Sequence, residues 1–261
     1  MSKDKLGFRE WTKFSVNCCS GCSNNCRYCY AKGMAVRFRQ LTVEEWPLER
    51  IREKDVVKQQ KSYDGRVMFP SSHDITLANL DACMTVIGNL LGAGNELLIV
   101  SKPRIECIDR ICRRFCAARD RILFRFTIGA MDDGILAFWE PGAPTYAERR
   151  DSLCLAHEYG FGTSVSIEPM LDIGHVIDLV ADLQGCVTDA IWIGKMNHIK
   201  KSMRLVDEET KAAFEAIEAR QTAQRILDIY EQLKTNPKIK WKEGIKKIVG
   251  IDIPEDYGLD Q

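Results

Sequence analysis

Hydrophobic positions in this chain fall into short, nearly uninterrupted runs separated by longer stretches with helical spacing. The runs are KFSVNC (13–18), RVMFPS (66–71), ELLIVSK (96–102), RILFRFTIG (121–129), TSVSIEP (163–169) and DAIWIGKM (189–196). Most are rich in β-branched and aromatic residues and lack the strict alternation of a half-solvated strand, so they predict strands buried on both faces of a parallel sheet. In the helical stretch DITLANLDACMTVIGNLLGAG, Leu80, Cys83, Ile87, Leu90 and Leu91 share one face behind Asp74, a candidate cap, and glycines follow the last turn. TYAERRDSLCLAHEYGFG predicts a helix that follows Pro144 and stops at Gly160, and DEETKAAFEAIEARQTAQRILDIYEQLK (207–234) predicts one long amphipathic helix. Six strand–helix units in series imply right-handed crossovers. The predicted fold is therefore α/β, a partial (β/α)6 TIM-type barrel over 1–200 with a C-terminal helical extension, 201–261, packed on it. In such barrels the chemistry sits at the carboxyl ends of the strands.

Composition narrows this picture. The 261 residues are 45% hydrophobic, enough for one sizeable core, and no stretch approaches the ~18 apolar residues that cross a bilayer. The opening MSKDKLGFREW has no apolar run of signal-peptide type, so the expected location is cytoplasmic, away from membranes. Eleven cysteines, an odd number, then suggest metal binding, catalysis or burial rather than a disulfide framework. Cys83, Cys154 and Cys186 read as packing positions, and Cys107, Cys112 and Cys116 as buried thiols of one helix. Lys plus Arg equals Asp plus Glu at 37 each, which leaves no global field to recruit nucleic acid. Two local basic segments remain, KMNHIKKSMR (195–204) and KTNPKIKWKEGIKKIVG (234–250). The second reads either as a phosphate-backbone contact or as a solvated helix end capping the barrel.

The most informative stretch is NCCSGCSNNCRYCYAKG (17–33), immediately after the first predicted strand. Cys22, Cys26 and Cys29 have the spacing C-x3-C-x2-C, which gathers three soft thiolates on one short loop and suits iron-sulfur ligation. Structural zinc normally asks for a second ligand pair, which does not follow here. A four-cysteine electron-transfer cluster recruiting Cys18 or Cys19 is a further alternative. Three ligands on a four-iron cluster leave one iron open to a small molecule.

CSNNCRYCY resembles the signature of the radical S-adenosylmethionine (SAM) superfamily. More narrowly, PSSHDI, IVSK, FRFTIG, WEPGAPTYAERR and VSIEPM resemble segments of its spore photoproduct lyase-like branch. The resemblance implies that Cys22, Cys26 and Cys29 hold a [4Fe-4S] cluster whose open iron binds SAM. Reductive cleavage of SAM then gives a 5′-deoxyadenosyl radical that takes a hydrogen atom from substrate. It implies that Tyr28 and Tyr30 contact the adenosine and that Ser72 and Asp74 lie where the methionyl ammonium binds. Lys102 would pair with the methionyl carboxylate, Thr127 would contact SAM, and Ser166 and Glu168 would lie near the barrel top. Glu140 and Arg149 form a candidate pair tying their loop to the barrel mouth, and His73 and His198 are placed to face substrate. An electron donor such as a flavodoxin or ferredoxin is implied. The substrate is unidentified, a nucleic acid or nucleotide by analogy, with a peptide or small metabolite as the alternative. A non-enzymatic iron-sulfur protein is the competing class.

Two departures stand out. Aligned through Asp74-Ile75, the chain has Ser71 where those lyases carry the cysteine that returns a hydrogen atom to the product radical. Glu168 replaces a small residue. The expectation is a relative that does not repair the thymine photoproduct.

Overall fold

The computed structural model describes residues 7–197 and 206–258. Seven strands lie side by side in chain order, every neighbouring pair parallel: β1 (Phe14–Ser15), β2 (Val67–Phe69), β3 (Leu97–Ser101), β4 (Ile122–Thr127), β5 (Gly162–Ile167), β6 (Ile191–Ile193) and β7 (Ile239–Trp241). The first six are the predicted runs, trimmed where the chain turns into the loops above the sheet. Between them run α1 (Tyr30–Arg37), α2 (Leu80–Gly92), α3 (Ile105–Phe115), α4 (Asp133–Trp139), α5 (Tyr146–Glu158) and α6 (Val176–Leu183).

Alternation along the strands explains both the core and the site. Phe69, Ile99, Phe124, Phe126, Val165, Ile167, Ile191 and Ile193 face the helices and form the main core with Ile87, Leu90, Ile111 and Leu153. Their neighbours Met68, Leu98, Arg125, Ser164, Ser166 and Trp192 are also buried but stand outside that cluster. The barrel interior is consequently polar enough to hold cavities instead of packed branched side chains.

The seventh strand is absent from the sequence expectation. Lysines at 238, 240 and 242 disguise IKW, yet Lys238 Nζ donates to the carbonyls of Gln184 and Val187, and Lys242 is 1% exposed. The segment read either as a phosphate-backbone contact or as a solvated helix end thus extends the sheet before continuing as α9 (Glu243–Val249). The single helix predicted over 207–234 is two, α7 (Glu208–Arg220) and α8 (Ala223–Leu233). At the break Gln221 turns inward, accepting from Met196 N at 3.1 Å and donating to Met170 O at 2.9 Å, while Thr222 caps α8 through Arg225 N.

β1 and β7 are the two sheet edges, and the segment Gly7–Thr12 bridges them. Thr12 donates to Arg66 O beside β2, Trp11 packs edge-on against Trp192 of β6, and Glu10 meets Lys242 and the Glu243 N–H just after β7.

Cys154 and Cys186, expected as packing thiols, form a disulfide between α5 and the turn after α6, 32 residues apart in sequence. Cys107 and Cys112 are buried as expected, but Cys116 is exposed. Closing a loop of that length restricts the unfolded chain by about 3–4 kcal/mol. Cys154→Ser/Cys186→Ser should lower the free energy of urea unfolding by about 2–4 kcal/mol. Reductant should lower the wild type similarly and leave the variant unmoved; an unchanged midpoint in both would exclude the bridge as a stabilising element.

Candidate functional site

The cysteine loop is pinned by backbone contacts that depend on its small residues. Cys19–Ser20 pairs antiparallel with Arg50–Ile51. Gly21 adopts φ +82°, and a Cβ there would lie 2.5 Å from Leu48 O, so only glycine serves. Cys22 N donates to Trp46 O, Arg27 N to Trp139 O and Gly142 N to Asn24 O. A Cβ on Gly142 would fall 2.1 Å from Ser23 O, which lets the loop before α5 lie directly against the cysteine loop. Cys29 is the N-cap of α1, its sulfur accepting from Lys32 N at 3.4 Å.

Cys22, Cys26 and Cys29 all border one cavity of about 930 Å³ at the carboxyl ends of the strands. Burial pushes all three thiols up, Cys22 further because Asp74 stands beside it, while the Lys102 ammonium pulls Cys26 the other way. Among the described residues no three His, Cys, Asp or Glu side chains converge on a single-ion site. A polynuclear cluster, whose thiolates bind separate iron atoms, asks for sulfurs set further apart.

Asp74 does not cap α2, whose N-cap is Asn79. Its Oδ1 accepts from Lys102 N at 2.7 Å and Ser101 Oγ at 3.0 Å. Its Oδ2 accepts from Asn24 Nδ2 at 2.9 Å and the Cys22 thiol at 3.7 Å, and lies 3.7 Å from Lys102 Nζ. Burial alone would raise this carboxyl; the Lys102 ammonium and the hydrogen-bond donors hold it below the usual carboxylate range. Lys102 is 8% exposed, not solvated, and against the cost of burial Asp74 holds its ammonium well above the ordinary lysine range.

The other predicted residues gather around the same cavity: Tyr28, Tyr30, Ser72, Thr127, Ser166 and Glu168. The Tyr28 hydroxyl donates to Glu140, whose other oxygen is 2.5 Å from Arg149 Nη1, both side chains being fully buried. Tyr30 donates to Ser71 O at the rim. Among the described residues the buried Ser166 hydroxyl has no hydrogen-bond partner, as a group awaiting a ligand would be. Glu168 pairs with Lys242 at 3.3 Å, and Gly194 permits this, because a Cβ there would strike both side chains.

Ser71 and His73 also border the cavity, whereas His198 lies outside the described residues. Cys18 and Cys19 point elsewhere. Cys18 Sγ sits 3.9 Å from Cys83 Sγ and 4.0 Å from His73 Nε2, and the Cys83 contact chiefly draws its thiol down to about 5. Cys19 Sγ turns to the Ser20 and Gly21 carbonyls.

Sequence reasoning missed four polar residues that hold this site. Asn17 accepts from the backbone N–H of Ser71 and Ser72 and donates to Ser71 Oγ. Asn24 and Ser101 orient Asp74, and Arg104 ties Asn24 to Gly142 O. Asn17 and Asn24 flank the cysteines, the one signal that would have found them.

No family model and no curated protein matches the sequence. Solved structures do. The fold, an α/β partial TIM-type barrel, is shared with solved structures of spore photoproduct lyase and SuiB. A spore photoproduct lyase mutant with bound AdoMet and dinucleoside spore photoproduct superposes with TM-score 0.56 at 14% identity, over 87% of this chain and 75% of that one. SuiB of Streptococcus suis bound to S-adenosylmethionine gives TM-score 0.55 at 8% identity, over 94% of this chain and 54% of that one. SuiB bound to precursor peptide SuiA gives 0.54 at 10%, over 96% and 55%. At these identities the likeness is one of architecture.

Proposed function

We propose that this chain is a radical SAM enzyme. The observation that carries the reading is the placement of Cys22, Cys26 and Cys29 after β1 on the wall of a cavity that Lys102 and the unpartnered Ser166 hydroxyl also border. The donor set fits: three soft thiolates for a [4Fe-4S] cluster, and a cavity within the size range that encloses a small cofactor. When bound, the cluster and SAM supply one-electron reductive cleavage that leads to hydrogen-atom abstraction from the substrate, with the electron coming from a flavodoxin or ferredoxin.

The chain's own part is to bind, orient and exclude water. Lys102 presents its ammonium to the methionyl carboxylate. Asp74 has its oxygens occupied by protein donors, so it serves by fixing Lys102 and the Cys22 loop rather than by gripping the ligand's ammonium. Ser72 remains for that ammonium. Tyr28, held by Glu140, and Tyr30, held at the rim, flank the adenosine. Thr127 and Ser166 offer hydroxyls from β4 and β5, and Glu168 faces the substrate. A nucleic acid or nucleotide is the substrate class that the sequence resemblance favours. The structural likeness to SuiB bound to a precursor peptide brings peptides into the same test.

Anaerobic reconstitution with iron, sulfide, SAM and a reductant should yield 5′-deoxyadenosine, and SAM should change the electron paramagnetic resonance spectrum of the reduced cluster. Nucleotides and peptides are then compared by the extra 5′-deoxyadenosine each elicits. An unchanged spectrum at saturating SAM, with no product, would move the chain to simple electron transfer.

Ser71 supports a substrate other than the spore dimer. Its O–H bond is too strong to stand in for a thiol hydrogen donor, and its hydroxyl already accepts from Asn17 at 2.9 Å. The dinucleotide photoproduct should survive incubation with the SAM-cleaving protein, with Ser71→Cys raising whatever repair occurs. Efficient repair by the unaltered chain would overturn this.

A further inference from the structure

Trp46 lies on the wall of the upper cavity, the one at the carboxyl ends of the strands, together with Cys22, Cys26 and Cys29. It is 3% exposed, and among the described residues its buried indole N–H meets no acceptor. We infer, on the cluster reading above, that this N–H donates to a sulfur of the [4Fe-4S] cluster and so raises the reduction potential of the cluster.

The packing around the indole narrows what it can meet. Trp46 forms a small cluster with Cys22, Ala31, Ala35 and Leu41, against which Cys29 packs. Alanine and leucine side chains accept nothing, so the sulfurs of Cys22 and Cys29 are the side-chain acceptors that this packing offers. A thiol sulfur accepts weakly, whereas a thiolate or sulfide accepts well because it carries negative charge. A buried donor left unmade costs free energy and asks for a reason. Trp11 and Trp192 also bury an indole N–H without an acceptor, but they pack edge-on against each other with the Arg125 and Lys242 cations over their rings. Trp46 packs instead on the proposed ligands.

Its placement is also rigid. Trp46 O accepts from Cys22 N at 2.8 Å, so the indole and the first ligand are tied through one backbone bond. A Cβ on Gly21 would lie 2.7 Å from that same carbonyl, and its absence lets the two segments approach so closely. Just before Trp46, Thr42 N donates to Glu45 at 2.9 Å and Glu45 N to Thr42 Oγ1 at 3.2 Å, a reciprocal pair that fixes the turn. Ala31 and Ala35, one turn apart on α1, leave the room that a large indole needs. Groups behind the ligands orient a metal centre and tune it, and hydrogen bonds to sulfur help to set the potential of an iron-sulfur cluster. The sign follows from charge. One-electron reduction adds one negative charge to the cluster, so an N–H dipole aimed at it favours the reduced form.

The whole chain, reconstituted anaerobically and kept free of SAM, is titrated with dithionite and redox dyes while the electron paramagnetic resonance signal of the reduced cluster is followed. Trp46→Phe should lower the reduction constant about ten-fold, which is about 59 mV for one electron. Replacing Trp46 by 3-benzothienylalanine, which keeps the shape of the indole and lacks its N–H, should lower it as much at unchanged iron and sulfide content. Trp11→Phe, which removes an indole elsewhere on the same cavity wall, should leave the midpoint in place. With the indole nitrogens labelled as 15N, pulsed electron paramagnetic resonance should detect a nitrogen coupling that Trp46→Phe abolishes. The proposal falls if the loaded benzothienyl chain keeps the midpoint of the unaltered one, or if the loaded unaltered chain shows no nitrogen coupling; packing would then be all that Trp46 contributes. An unaltered chain that takes up no iron and sulfide would fail earlier, at the cluster itself, and take the proposal with it.

Discussion

Arg149→Ala should destabilise the fold by about 3–5 kcal/mol, because it strands a buried carboxylate. Arg149 and Glu140 are both wholly removed from solvent, and Arg149 also donates to Pro144 O at 2.8 Å and Thr127 O at 3.3 Å. Without the guanidinium, Glu140 keeps only Tyr28 and must take up a proton or unfold the loop. Glu140→Gln/Arg149→Met should recover a large part of the loss, since an uncharged pair of similar volume needs no compensating charge. Urea unfolding of the two single variants and the double variant gives the coupling directly. Equal losses in Arg149→Ala and the double variant would mean that packing, not charge, is what Arg149 contributes. The effect reaches the upper cavity, because Tyr28 sits between Cys26 and Cys29 in sequence and its hydroxyl is aligned by Glu140.

Asp74→Ala should be comparably severe, at about 3–5 kcal/mol, and should also lower the iron and sulfide retained after anaerobic reconstitution. It removes in one step the acceptor for Lys102 N, Ser101, Asn24 and the Cys22 thiol, and it leaves the Lys102 ammonium buried without its carboxylate. Asp74→Asn separates shape from charge through its pH dependence. In the unaltered chain the Lys102 pKa is raised, so its stabilisation is complete below the unfolded lysine value and is lost only as pH climbs through the higher folded one. In Asp74→Asn burial prevails, the folded pKa drops below the unfolded one, and stability should rise from neutral to alkaline pH. A pH profile for Asp74→Asn parallel to that of the unaltered chain would show that other groups carry Lys102.

How much of this was legible in the sequence depends on which face of each element a residue occupies. The six strands were readable because their helix-facing residues, such as Phe124, Phe126, Val165 and Ile167, make dense apolar runs. β7 was not, because Lys238 and Lys242 spend their charges on carbonyls and carboxylates that only the folded chain brings near. The helix break at Gln221 was hidden for a similar reason: a glutamine is a good helix former until two loop groups claim its amide. The cysteine loop and Lys102 announced themselves by spacing and by position at a strand end. Of the residues that hold them, Asn17 and Asn24 are marked only by their place beside the cysteines, and Ser101 and Arg104 carry no pattern. Cysteine spacing likewise does not reveal pairing, so Cys154 and Cys186 read as packing residues.

The bridge across the sheet edges bears on how this protein comes into being. Glu10 accepts from the Glu243 N–H across 233 residues, and Lys242 reaches Gly7 O across 235. A chain growing from its amino terminus therefore carries Glu10 without its partners Lys242 and Glu243 until synthesis has passed residue 243. During that interval β6 is a bare edge, and the upper cavity lacks the wall that Lys242 and Glu243 supply. Contacts of such long sequence separation form slowly and late. A nascent chain can thus complete its helices and most of its sheet while the barrel mouth still gapes, and the cysteine loop near the start of the chain waits for the last strand before its cavity is enclosed.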